Sequence, residues 1–113
     1  MDKDIITIQE VENDGQSIFL YYDKMAGVYL AYGLSAYYAT MVTDPMISYS
    51  EEMMMPVVLL KRENILYLRQ SLKKIDHTPK TYYRFRLRSY IGEGDYDRWA
   101  QAQRENFDKI YRR

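Results

Sequence analysis

One stretch constrains the fold more than any other. From Thr81 to Arg88 the chain alternates strictly, with Tyr83, Phe85 and Leu87 interleaved with Arg84, Arg86 and Arg88. Successive side chains of a β-strand point to opposite faces, so this stretch reads as a strand with one apolar face and one guanidinium face. Such a strand belongs in a sheet with one covered and one solvated side. The 113 residues include no cysteine, which removes disulfides, thiol nucleophiles and thiolate metal sites. Hydrophobic residues at 47% and charged residues at 28%, with only 5 Gly and 3 Pro, are globular rather than disordered values. A single domain spanning 1–113 is expected, burying roughly 65% of the surface that the unfolded chain exposes. Met1-Asp2-Lys3-Asp4 carries no secretory pattern, and no run reaches the ~20 apolar residues of a membrane-spanning helix. The expectation is a cytoplasmic chain with no membrane partner.

Other elements follow from period and punctuation. Ile5 to Val11 alternates well enough for a strand, Asn13-Asp14-Gly15 is a turn signal, and Ser17 to Tyr22 reads as a second strand hairpin-paired with the first. Residues 25–42 fit either period. Their length and four alanines favour a helix, while Gly33 and the tyrosines favour a strand, and the helix is the reading taken. Met46–Tyr49 and Met53–Leu60 read as strands. Arg62–Ile75 reads as a helix with Ile65, Leu68, Leu72 and Ile75 on one stripe, stopped by His77-Thr78-Pro79. After Gly92-Glu93-Gly94, Asp95 caps a last helix to about Tyr111, with Tyr96, Trp99, Gln103, Phe107 and Ile110 inward and Trp99 and Leu68 as core anchors. The fold class is α/β (α+β), a single mixed sheet with about three helices.

Catalytic and metal chemistry find little purchase. Glu51 and Glu52 are neighbours and point apart in a strand. Asp95-Tyr96-Asp97 lacks the later ligands of a calcium loop, and Gly92-Glu93-Gly94 lacks the Lys and Ser/Thr of a phosphate loop. His77, the lone histidine, reads as a residue just past a helix C-terminus. Met53-Met54-Met55 reads as the start of a buried strand. No cofactor, no metal and no enzymatic activity are expected.

Charge and tyrosine content are the informative features. Residues 1–60 carry nine acids against Lys3 and Lys24, and residues 61–88 carry nine bases against Glu63 and Asp76. Either the two regions face each other, in the fold or in a dimer, or the second forms a basic face for phosphate. On the second reading Arg84, Arg86 and Arg88 share a strand face with Tyr82 nearby and Lys61, Lys73 or Lys74 adding charge, a pattern suited to weak, non-specific DNA contact. Tyrosines number 13. Six of them, Tyr21, Tyr22, Tyr29, Tyr32, Tyr37 and Tyr38, lie within eighteen residues, and some of these, Tyr29, Tyr32 and Tyr37 foremost, are expected on a groove or partner surface.

Residues 21–36, YYDKMAGVYLAYGLSA, resemble without a gap the opening of the N-terminal mismatch-recognition domain of the MutS mismatch-repair proteins. That opening is a hydrophobic strand, a short Gly-containing turn, an aromatic-Tyr-Glu step and an Ala-rich helix. MPVVLLKRENILYLRQSLKKI, residues 55–75, is similar to the family's second landmark, an apolar segment leading into a helix, and Tyr82–Leu87 falls where the family has its next strand. The resemblance covers about residues 17–88. It implies an α/β domain I-like fold and a history of DNA contact. In the family a Phe wedges beside the mispaired base and a Glu two residues on hydrogen-bonds it, but the matching positions here are Val28 and Leu30, which do neither. The 113 residues also leave no room for the family's ATPase, so mismatch repair itself is not expected. Two functions stand open. One is a small accessory module touching nucleic acid through residues 61–88; the other is a protein-interaction or homodimerisation domain using the tyrosine surface.

Overall fold

The computed structural model describes residues 3–78 and 81–111. Four helices and six strands follow in the order α1 (Lys3–Val11), β1 (Ser17–Asp23), β2 (Val28–Tyr32), α2 (Gly33–Val42), β3 (Met46–Ser50), β4 (Met55–Leu60), α3 (Arg62–Ser71), β5 (Lys73–Thr78), β6 (Tyr82–Arg86) and α4 (Tyr96–Tyr111). The α+β class is the one expected. The strands form one sheet in the order β3-β4-β2-β1-β6-β5. Every neighbouring pair is antiparallel, so the sheet, expected to be mixed, has no parallel pair. Strands 17–22 and 82–87 pair as expected, with Ile18 opposite Phe85 and Leu20 opposite Tyr83.

The two sheet faces are covered unequally. On one face Ile18, Leu20, Ala31, Val58, Leu60, Tyr83 and Phe85 meet Ala36, Tyr38 and Ala39 of α2 and Ile65 and Leu68 of α3. Alternation carries Phe19 and Tyr21 to the other face, where Ile6 of α1 packs on them with Tyr32, Met53 and Tyr82 at the margin. Leu68 is fully buried, as expected of an anchor, whereas Trp99 lies half-buried at the edge of the main core. No residue of α4 is buried, and Ile110, expected inward, is exposed.

Four local expectations are corrected. Residues 5–11 form helix α1, not a strand: β1 already has β2 and β6 on its two sides, so no place beside it remains. The Asn13-Asp14-Gly15 turn therefore joins a helix to a strand, with Gly15 at φ +79° and its N–H donating to Asn13 Oδ1 at 2.9 Å. The helix expected over 25–42 is a turn, a strand and a shorter helix. Val28–Tyr32 is needed to bridge β1 and β4, and Gly33, at φ +56°, bends the chain from strand into helix without a loop. The helix expected to reach Ile75 ends at Ser71, because residues 73–78 pair with β6; Ile75 sits at a register shift between Lys74 and Asp76. His77 consequently lies in β5, opposite Tyr83, instead of behind a helix.

Candidate functional site

The guanidinium face foreseen on Arg84, Arg86 and Arg88 is divided. Arg84 and Arg86 lie on the α1 side of β6, with Asp76 and Lys73 of β5 as their cross-strand partners. Arg84 is engaged internally. Its guanidinium lies 3.3 Å from Asp14 Oδ2, donates to Ser17 Oγ at 3.1 Å and sits 5.2 Å from the centre of the Phe19 ring. Burial pushes the Asp14 carboxyl up, but hydrogen bonds from Ser17 and Gln16 and the charges of Arg84 and Arg86 outweigh it and hold Asp14 below its ordinary value. Arg88 lies past the strand and donates through Nε to the Ser71 carbonyl at 3.0 Å, at the end of α3. Lys73 accompanies Arg86, whereas Lys74 pairs with Phe85 and takes the opposite face. Tyr82 belongs to the cluster under α1, 6.3 Å from Phe19 and 6.0 Å from Tyr21.

The expected tyrosine surface is likewise dispersed. Tyr37 is buried between Tyr38, Tyr96 and Trp99, Tyr32 packs on Tyr21 beneath α1, and Tyr29 lies on the helical face of the sheet. Tyr21 and Tyr38 are buried with their hydroxyls donating to Gln9 Oε1 and the Gly92 carbonyl. Packing absorbs more of these rings than composition alone suggests.

What the fold does assemble is a groove of about 270 Å³ between α3 and the β1–β2 turn. Arg62 and Arg69, seven residues apart and so on one side of α3, line it together with Tyr29 and Tyr83. The rings continue as a row across the sheet. Tyr22 and Tyr29 lie 5.1 Å apart, Tyr29 meets Tyr83 edge-on at 5.1 Å, and His77 stacks on Tyr83 at 3.9 Å with the planes 7° apart. Lys74 shares the His77 face on β5. Burial, then Lys74 and Arg69, depress the His77 pKa below its ordinary value, with Asp76 opposing. Among the described residues, Arg62, Arg69 and Lys74 have no carboxylate within ion-pair distance. Comparison with protein-family models, with curated proteins and with solved structures gave no match.

A second constellation was not foreseen in the sequence. Glu10, 6% exposed, reaches from α1 to the start of α2, where Ser35 donates to its carboxylate through N–H at 2.9 Å and through Oγ at 2.7 Å. Ser35 Oγ in turn accepts the Phe19 N–H of β1 at 2.9 Å. Tyr32, the residue before α2, offers no side-chain cap, so Glu10 supplies from another helix the acceptor that an N-cap would. Burial pushes its pKa up to about 7, and the hydrogen bonds from Ser35 and Asn13 only partly offset that. Gly33, Leu34, Met55, Glu93, Tyr96 and Asp97 line the adjoining cavity of about 330 Å³. A carboxyl poised near neutrality beside a cavity is a general-base signature, yet both oxygens here are committed to Ser35. The arrangement is suited to holding three elements together. Among the described residues no cluster of three or more potential metal ligands occurs, and no helix is long and apolar enough to cross a membrane.

Proposed function

We propose that this chain is a small, non-enzymatic module that contacts nucleic acid weakly and without sequence preference, through the groove between α3 and the β1–β2 turn. The observation that carries the reading is the set of half-buried rings Tyr22, Tyr29 and His77, backed by the buried Tyr83, beside Arg62 and Arg69 of the groove and with Lys74 on the His77 strand. Sequence-tolerant single-strand binding combines aromatic faces for bases with cations that follow the phosphates. The basic region remains the source of the cations, but α3 and β5 supply them in place of the Arg84–Arg88 triplet. The resemblance of residues 21–36 and 55–75 to the MutS recognition domain is in keeping with the same reading. Val28 and Leu30 offer no wedge and no hydrogen bond, so no preference for mismatched duplex is expected.

Fluorescence anisotropy with a labelled oligothymidine tests this. Non-specific affinity of about 10–100 μM is expected at low salt. With three phosphate contacts, raising salt from about 50 to 200 mM weakens single-strand binding roughly 20-fold. The Arg62→Ala/Arg69→Ala double variant should lose most of the affinity and flatten that salt response, while Arg84→Ala/Arg86→Ala should bind nearly as wild type does. Absence of binding at about 100 μM protein, or equal losses in the two variants, overturns the proposal.

A further inference from the structure

The two edges of the sheet are built differently. The β5 edge reads Lys73-Lys74-Ile75-Asp76-His77-Thr78, with three of its first four positions charged and a register shift at its middle. Charges and irregularities of this kind discourage a second strand from adding there. The β3 edge reads Met46-Ile47-Ser48-Tyr49-Ser50, without charge, proline or bulge over its pairing with β4. Met46 (59% exposed) is open on one face of this edge, and on the other Ile47 (43%) stands beside Ile110 (64%) and Tyr111 (68%) at the end of α4. Ile47, Phe107, Ile110 and Tyr111, with the polar Ser48, Gln103 and Asn106, line a groove of about 100 Å³ along this rim.

Pro56 determines which backbone groups of β3 are unpaired. It lies opposite Tyr49 and has no N–H, so that pair cannot exchange two hydrogen bonds and must be of the non-hydrogen-bonded kind. By alternation Ser48 bonds with Val57, and Ile47 and Tyr49 direct their N–H and C=O groups away from β4. Those outward groups are spaced for a two-fold antiparallel pairing centred on Ser48, in which Ile47 of one copy exchanges both hydrogen bonds with Tyr49 of the other. The strand is uncharged and its apolar rim meets itself across that axis, so the segment is self-complementary. We infer that β3 is a self-association edge, through which two copies of this chain join their sheets into one of twelve strands. Asp44 and Glu52, at the two ends of the strand, approach one another's counterparts in this register. Self-association therefore tightens as salt rises, opposite in sign to phosphate binding.

Sedimentation velocity between about 10 and 300 μM, where small interfaces associate, reads the mass, and deuterium exchange reads the amides. Ile47→Pro removes one outward N–H while leaving the pairing with β4, a substitution that edge strands accept. Ile47→Lys places a charge on the same edge and serves should the proline variant melt early. The mass of wild type should approach twice the monomer value as concentration rises, with exchange slowing at the Ile47 and Tyr49 amides and unchanged at Ser48. A folded Ile47 variant should stay monomeric. A wild type that remains monomeric to about 300 μM, or a dimer that survives in a folded Ile47 variant, overturns the inference.

Discussion

Replacing Glu10 by Gln isolates the energetics of one buried carboxyl. Glutamine keeps an oxygen to accept the Ser35 N–H and removes the titration. Below pH 4.5 Glu10 is protonated in the folded and the unfolded chain alike and adds no pH dependence. Between 4.5 and about 7 the unfolded chain ionises first, so the folded state loses stability as pH rises, and the loss is complete above 7. The rise from 4.5 to about 7, at about 1.4 kcal/mol per pH unit, sets the total near 3 kcal/mol. For a chain of 113 residues that corresponds to roughly 10 °C in melting temperature. His77 works against this trend, because its lowered folded pKa makes stability fall as pH drops below 6.5. Asp14, whose folded pKa is also lowered, acts only below its ordinary 3.8. Both groups are present in each protein, so the difference between wild type and Glu10→Gln removes them. Urea denaturation from pH 4.5 to 8 should show wild type declining by about 3 kcal/mol relative to the variant. Parallel profiles would refute the assignment of a buried, titrating Glu10, as would a variant that loses more stability at pH 8 than at pH 5.

Gly33→Ala should cost about 1–3 kcal/mol in urea unfolding, since φ is +56° and a Cβ would stand 3.2 Å from Met55 Sδ; a cost below about 0.5 would mean that α2 starts elsewhere. Leu68→Ala should cost about 2–5 kcal/mol, and Trp99→Ala, at the margin of the core, about 1–2. Thermal melts rank the two, and the reverse order would place α4 deeper than it lies here.

The period-two pattern of Tyr82–Arg88 is legible because a strand covered on one side admits no other reading, and the buried Tyr83, Phe85 and Leu87 bear it out. Ile5–Val11 is ambiguous because Ile6 and Ile8 satisfy a strand period while Ile6 and Glu10 satisfy a helical one. What separates the two is the occupancy of both sides of β1, a property of the whole sheet. Residues 62–75 read as one helix because Ile75 falls on the stripe set by Leu68 and Leu72; only pairing with β6 reveals that the chain has turned into β5. At the site, the spacing of Arg62 and Arg69 is visible in sequence. The ring row is not, because Tyr22, Tyr29, His77 and Tyr83 come from four strands and meet only through their pairing. Glu10 gives no local signal at all, since its partner Ser35 is 25 residues away.

The opposed charges of residues 1–60 and 61–88 invite internal pairing as their explanation, and the fold uses only part of them that way. Arg84, from the basic region, meets Asp14, from the acidic one, because β1 pairs with β6. Arg86 and Lys73 stand opposite one another on that same face, with Arg86 near enough to Asp14 to help depress its pKa. Arg62, Arg69 and Lys74 are carried to the other face, where no described carboxylate pairs with them, and the depressed His77 pKa registers burial together with the field of Arg69 and Lys74. Had the segregation served internal pairing alone, α3 would present its cations towards α1 and the Asp14 turn. Instead Arg62 and Arg69 line an open groove with Tyr29 and Tyr83, where exposed like charges gain little from the folded state itself. An anion lying along that groove would relieve their repulsion, so a phosphate-bearing ligand would suit this end of the sheet better than an uncharged one.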